Sequence, residues 1–355
     1  MIVKSMEDSS SPSTSSRSSL VRRSAKFIAG SSSEVTINHS AVGKLAHLLA
    51  DRYNKHDMSP ECWKNHELHP KTADASAVDW IFVIDSVNFS FWSEVEDPEA
   101  PDRFMLEYKN KLWTGYWSCC AAVNRALDEG IPLLNADYLV QIDDEHVRYI
   151  FRTTKGVMPM LAERTRNLRE VGRILKEKYE GSFTNCVTKS QNSSQTLIQS
   201  ILTDFPCFRD EGIYKNERVA FYKRAQILVA DIWACFEGKG LGTFHDIDQL
   251  TIFADYRIPQ VLNYFGLTTY SQDLQRKLNE NCMFKYGSDD EIQIRGCAIH
   301  ACELLVQELN RLLENQTIPS HVNAIMLDFY LWDYVQLHEE DIRKTPYHKV
   351  RCIYY

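Results

Sequence analysis

Two acidic residues stand where apolar ones would be expected, and a third stands in a turn. Asp231 lies inside Ile227-Leu228-Val229-Ala230-Asp231-Ile232-Trp233-Ala234-Cys235-Phe236. A helix apolar on every side is a buried helix, and an ionised carboxylate there costs several kcal/mol unless it is paired or hydrogen-bonded. Arg224, beside Lys223, stands two turns earlier on the same face. Asp231 therefore reads either as half of a buried ion pair or as a catalytic carboxylate in a dry cleft. Asp328 interrupts a second aromatic helix, Asn323 to Tyr334, and shares a face with Trp332. An acid beside an aromatic plate suits a flat heterocycle, giving ring stacking plus an acceptor for N–H groups. The plainer reading is a core helix whose acids point to water. Asp255 sits in Asp255-Tyr256-Arg257, read as a turn between two short helices. Its polar groups either face a ligand or cap the turn. In Asn88-Phe89-Ser90-Phe91-Trp92 the rings clamp a base-like group while the amide reads its edge, or the cluster is core packing.

These side chains need helices to position them. Apolar spacing predicts helices over Ala41 to Tyr53, Tyr116 to Glu129, Glu163 to Tyr179, Ser194 to Leu202, Glu217 to Phe236, Gly296 to Glu314 and Asn323 to Tyr334. Two short helices, Leu250 to Ala254 and Pro259 to Phe265, flank the Asp255 turn, with Asp248 as N-cap of the first and Pro259 opening the second. The run Trp80 to Ile84 fits a strand or a buried helix. With Gly 14 and Pro 11 in 355 residues the chain is too poor in turn formers for an all-β fold. The expected fold is mainly α, one helical domain over 34–355. Residues 1–33 are serine-rich and nearly free of aromatics, and read as a disordered tail. Glu7 and Asp8 fit poorly with a mitochondrial presequence.

Composition narrows the function. The net charge is -8, from 48 acidic and 40 basic side chains. That balance argues against a stable complex with long nucleic acid, which needs cations to displace counterions. The 10 cysteines contain no CxxC pair and suit a reduced, cytoplasmic protein. Cys297, His300 and Cys302 lack a second ligand pair at zinc spacing, so no metal is expected. No apolar stretch is long enough for a membrane span. The Walker loop, GxGxxG, HExxH and GxSxG signatures are missing, and no cofactor is expected. The oligomeric state is not legible.

Taken in order, Asn88 to Trp92, Gly115-Tyr116-Trp117-Ser118 with Ala121 to Pro132, Tyr222 to Gly238, Phe253 to Gln260, Ile294 to Cys297, Asp328 to Tyr334 and Arg351 to Tyr355 resemble the queuosine-salvage protein family. The likeness runs from about Ser24 to the C-terminus. It implies hydrolysis of the N-glycosidic bond of queuosine 5′-monophosphate, releasing queuine for reinsertion into tRNA. The alternative is a non-catalytic carrier of queuine or its nucleotide. It also implies a helical fold similar to helix-hairpin-helix DNA glycosylases, with the hairpin at Asp255 to Pro259. That turn lacks the glycine pair of a DNA-binding hairpin. Queuine is a 7-deazaguanine, so the usual protonation site of a leaving purine is carbon. A fixed carboxylate must then steady the developing oxocarbenium ion and orient water. Asp231 is the first choice for this, with Asp328 and Asp255 as alternatives or as readers of base and ribose. Phe89, Phe91, Trp92 and Trp332 are expected to stack. Asn88 is expected to contact the base edge, and Lys223, Arg224 and Arg257 to hold the 5′-phosphate.

Overall fold

The structure is a computed structural model that describes residues 19–53, 58–93, 103–314 and 321–355. It is mainly helical. Among the described residues the strands form three antiparallel pairs: Val35–Ile37 with Thr268–Tyr270, Leu106–Tyr108 with Lys111–Trp113, and Glu211–Tyr214 with Glu217–Ala220. The longest helix, Asp289–Leu313, packs against Leu20–Ser31 and His39–Tyr53. Ala324–Leu337 packs on it and on Arg257–Tyr264. The Lys223–Cys235 helix lies against Ala75–Ser86, Ser194–Asp204 and the short Glu61–Asn65 helix.

Several boundaries differ from the sequence reading. Residues 1–33 are not all tail, because Leu20–Ser31 is a helix that buries Val21, Ala25 and Ile28. Those three lie on one helical face, but serine-rich composition masks them. The helix is held by tertiary packing rather than by its own propensity. Its Ile28 fills the space over Gly296, where a Cβ would meet Ile28 atoms at 2.6 Å. Residues 1–18 lie outside the described residues, as does Glu94.

The predicted Glu217 to Phe236 helix begins only at Lys223. Glu217–Ala220 instead folds back on Glu211–Tyr214 through Lys215 and Asn216, both at positive φ, as a two-residue hairpin requires. A buried carboxylate then starts the helix: Asp210 Oδ2 accepts from the Lys223 N–H at 3.2 Å. Arg295 Nη1 in turn holds Asp210 at 3.0 Å and Glu291 at 2.9 Å.

Leu250 is extended, and Leu250 to Ala254 is not helical. Its N–H groups go to side chains instead of a helical ladder: Thr251 N to Gln226 Oε1 at 2.9 Å, Phe253 N to Asp328 Oδ2 at 2.7 Å. A hairpin of two helices is therefore not formed around Asp255. Asp248 caps no α-helix; it lies in the 3-10 turn Ile247–Gln249 and pairs with His321. Pro259 is the third residue of Arg257–Tyr264, where its missing N–H is still one that no helical carbonyl would use. The ambiguous Trp80 to Ile84 run is helical, inside Ala75–Ser86. The predicted Gly296 helix starts earlier, at Asp289.

Candidate active site

A cavity of about 450 Å³ opens between the Lys223–Cys235 and Ala324–Leu337 helices, the Asn88 to Ser93 segment and the loop before Arg257. Asp231, Asp255 and Asp328 all line it. So do Asn88, Phe89, Phe91, Trp92, Lys223, Arg257 and Trp332. Arg224 does not.

The three acids have different partners. Asp328 Oδ2 accepts the Phe253 N–H at 2.7 Å and so fixes the segment before the loop. Burial pushes its carboxyl well above the usual range, against that hydrogen bond. Asp255 Oδ1 accepts the N–H groups of Arg257 at 2.7 Å and Ile258 at 2.9 Å, capping the Arg257–Tyr264 helix. Asp231 has no such backbone duty. Burial raises its carboxyl well above the usual range, and the neighbouring Asp85 carboxyl adds to this. Trp63 and Lys223 lie near enough to favour the ionised form. A dry carboxyl with an elevated proton affinity is suited to proton exchange with a reacting group.

Rings form the second component. His66 stacks on Trp117 with centroids 3.3 Å apart, and Trp117 meets Trp332 edge-on at 5.4 Å. Trp63 stacks on His69 at 3.8 Å. His69 is fixed at both nitrogens, Nδ1 to the Trp63 carbonyl at 2.7 Å and Nε2 to the Tyr116 hydroxyl at 3.0 Å. Burial lowers His69 to about 3 and His66 to about 4, so both rings are neutral near pH 7. Trp92 is held by its Nε1–H to the Val350 carbonyl at 3.1 Å, with the Arg351 guanidinium 3.4 Å from a ring centroid.

The cations divide. Lys223 Nζ is 3.5 Å from Asn88 Oδ1, among the acids, and burial lowers its proton affinity. Arg257 Nη1 donates to Gln260 Oε1 at 2.9 Å, and its guanidinium lies 5.0 Å from the Tyr347 ring centroid. Arg224 is neither a cavity cation nor the partner of Asp231. Its Nη1 donates to the carbonyls of Asp85 at 2.8 Å and Ser86 at 2.9 Å, and its Nη2 to that of Cys207. A guanidinium can be held by carbonyls through both terminal nitrogens, which i to i+7 spacing does not reveal.

The profile of the queuosine salvage protein family matches residues 68–355. A Mus musculus protein named queuosine 5′-phosphate N-glycosylase/hydrolase is 48% identical over 337 residues, covering 94% of this chain and 98% of its own. Proteins of the same name from Schizosaccharomyces pombe and Sphaerobacter thermophilus are 41% and 37% identical, over 95% and 90% of this chain and 100% and 93% of theirs. The chain belongs to the queuosine salvage protein family.

In this member of the family the cavity wall also holds residues that sequence reasoning passed over. Trp63, His66 and His69 lie in a short, aperiodic stretch with no helical stripe to mark it. Tyr116 and Trp117 stood only among the residues of resemblance. Asp85 ends the apolar run whose structure was ambiguous. It is fully buried behind the wall, and burial pushes it up to about 7. An acid next to the end of a helix of 12 residues, nine of them buried, was the available signal.

Proposed function

We propose that this chain hydrolyses the N-glycosidic bond of queuosine 5′-phosphate, releasing queuine and ribose 5-phosphate, with Asp231 as the acid–base group. The reading is carried by one observation: Asp231 is a buried carboxyl in the ring-lined cavity with no backbone capping role. The flat base stacks in the His66, Trp117 and Trp332 cluster, with Phe89, Phe91 and Trp92 completing the wall. Asn88 and Asp328 read its edge. The 5′-phosphate is drawn by Lys223 and Arg257. As the bond from C1′ to the base nitrogen breaks, its electron pair leaves with the base. Positive charge then grows on the sugar, which favours ionised Asp231. A water oxygen bonds to C1′, its proton passes to Asp231, and the base gains a proton in turn.

The resemblance to DNA glycosylases calls for a mainly helical frame, which is present, and for a hairpin at Asp255 to Pro259, which is not. The single helix at Arg257–Tyr264 and the acidic charge speak for a nucleotide substrate over a duplex. The described cysteines are all free thiols, which suits the cytoplasm. We take 34–355 as one catalytic domain, with the Leu20–Ser31 helix packed onto it.

The test is incubation with queuosine 5′-phosphate and mass detection of free queuine, with guanosine monophosphate as control. Stoichiometric queuine in the first turnover is expected. Tight binding without release would make the protein a carrier and overturn the reading.

A further inference from the structure

We infer that Asp85 is a positioning residue that sets which end of the Asn88 amide faces the site. Asp85 does not line the cavity and is fully buried. Its Oδ1 accepts from Asn88 Nδ2 at 2.9 Å, and Asn88 Oδ1 faces Lys223 Nζ at 3.5 Å. An amide has a donor end and an acceptor end of nearly equal size. Above the pH at which it ionises, the Asp85 carboxyl only accepts, so it takes the NH2 end, and the carbonyl end turns to Lys223 and the cavity. Asn88 thus presents an acceptor, which holds the ammonium and meets a substrate N–H. The backbone that carries Asp85 is itself held. Arg224 Nη1 binds its backbone carbonyl and that of Ser86 at 2.8 and 2.9 Å, and Asn167 Nδ2 binds the Ser86 carbonyl at 3.0 Å. Asp85 Oδ2 has no hydrogen-bond partner among the described residues, so the Asn88 amide is the one hydrogen-bond partner of the Asp85 carboxyl among them.

This inference rests on the proposed hydrolysis, so wild-type turnover is measured first; its absence refutes that reading and not this one. The test compares Asp85→Asn, Asn88→Asp and the double variant. Asn at 85 is isosteric but presents either end, so the Asn88 amide loses its direction. We expect kcat/KM to fall about ten-fold or more, mostly in kcat, with Tm unchanged or raised. A carboxylate at 88 has no donor end to misplace. In the Asn88→Asp background, Asp85→Asn is therefore expected to cost less than two-fold. An equal cost in both backgrounds, no cost in either, or a fall in Tm that tracks the lost activity would overturn the assignment.

Discussion

Among the acids, what separates Asp231 from Asp255 and Asp328 is where their oxygens are already engaged. Two bind backbone N–H groups, and Asp231 accepts from none among the described residues. Asp231→Asn is expected to lower kcat by about 100-fold or more while queuine binding is retained, as read by turnover and calorimetry. Undiminished turnover would remove Asp231 from the mechanism. Asp85 gives a pH prediction. Its folded value, about 7 from burial, lies above the ~3.9 of an unfolded aspartate. Between those values the native state holds a proton the unfolded chain has released. Stability from this group is complete below the unfolded value and lost as pH rises through the folded one. The Tm of Asp85→Asn minus that of wild type should be near zero at pH 4 and positive at pH 8. A gap that does not change with pH would contradict the assigned burial. The acids inside apolar helices were legible because charge in a dry run is anomalous by itself. Asp85, His66 and His69 were not, since each gains meaning only from neighbours distant in sequence.

At the scale of elements, the segment from Asp85 to Phe89 is gripped by two buried arginines. Arg164 donates to the Phe89 carbonyl at 2.7 Å, to that of Pro159 at 3.0 Å and to that of Val87. Arg164→Met would take the guanidinium from the Phe89 and Pro159 carbonyls, while Val87 keeps the Phe89 N–H, at about 1–3 kcal/mol for each group left unsatisfied. Thermal unfolding should show a loss of that order, and activity should fall with it because Asn88 leaves its place. A Tm within one degree of wild type would show that water replaces the guanidinium. Helix existence was legible from periodicity, as over Ala324–Leu337. Helix starts were less so. Lys215-Asn216 carries a turn inside an apparently continuous helical stretch, and Leu250 to Ala254 has helical spacing but gives its N–H groups to Gln226 and Asp328. Side chains that capture backbone donors override local pattern.

For the molecule as a whole, the Leu20–Ser31 helix joins regions far apart in the chain. Arg22 donates to the carbonyls of Asp248 at 2.6 Å and Leu250 at 3.1 Å and pairs with Glu303 at 2.8 Å, while Ser24 Oγ accepts from Ala220 N at 3.0 Å. Gly296→Leu would fill the groove that Ile28 occupies. Overpacking of this kind costs about 1–3 kcal/mol, and the measured Tm should drop accordingly. An unchanged Tm would mean that the helix can ride outward freely. This long-range clamp was invisible in a serine-rich segment read by composition, although the apolar face was present in the residues.

The cavity wall also has an optical consequence. Trp63, Trp92, Trp117 and Trp332, four of the 7 tryptophans, line one hollow. Intrinsic emission is therefore weighted toward the place where a planar guest would settle. A titration in a fluorimeter, with no dye attached, should report occupancy through quenching, and the recovery of signal after a single turnover should time the departure of the freed base.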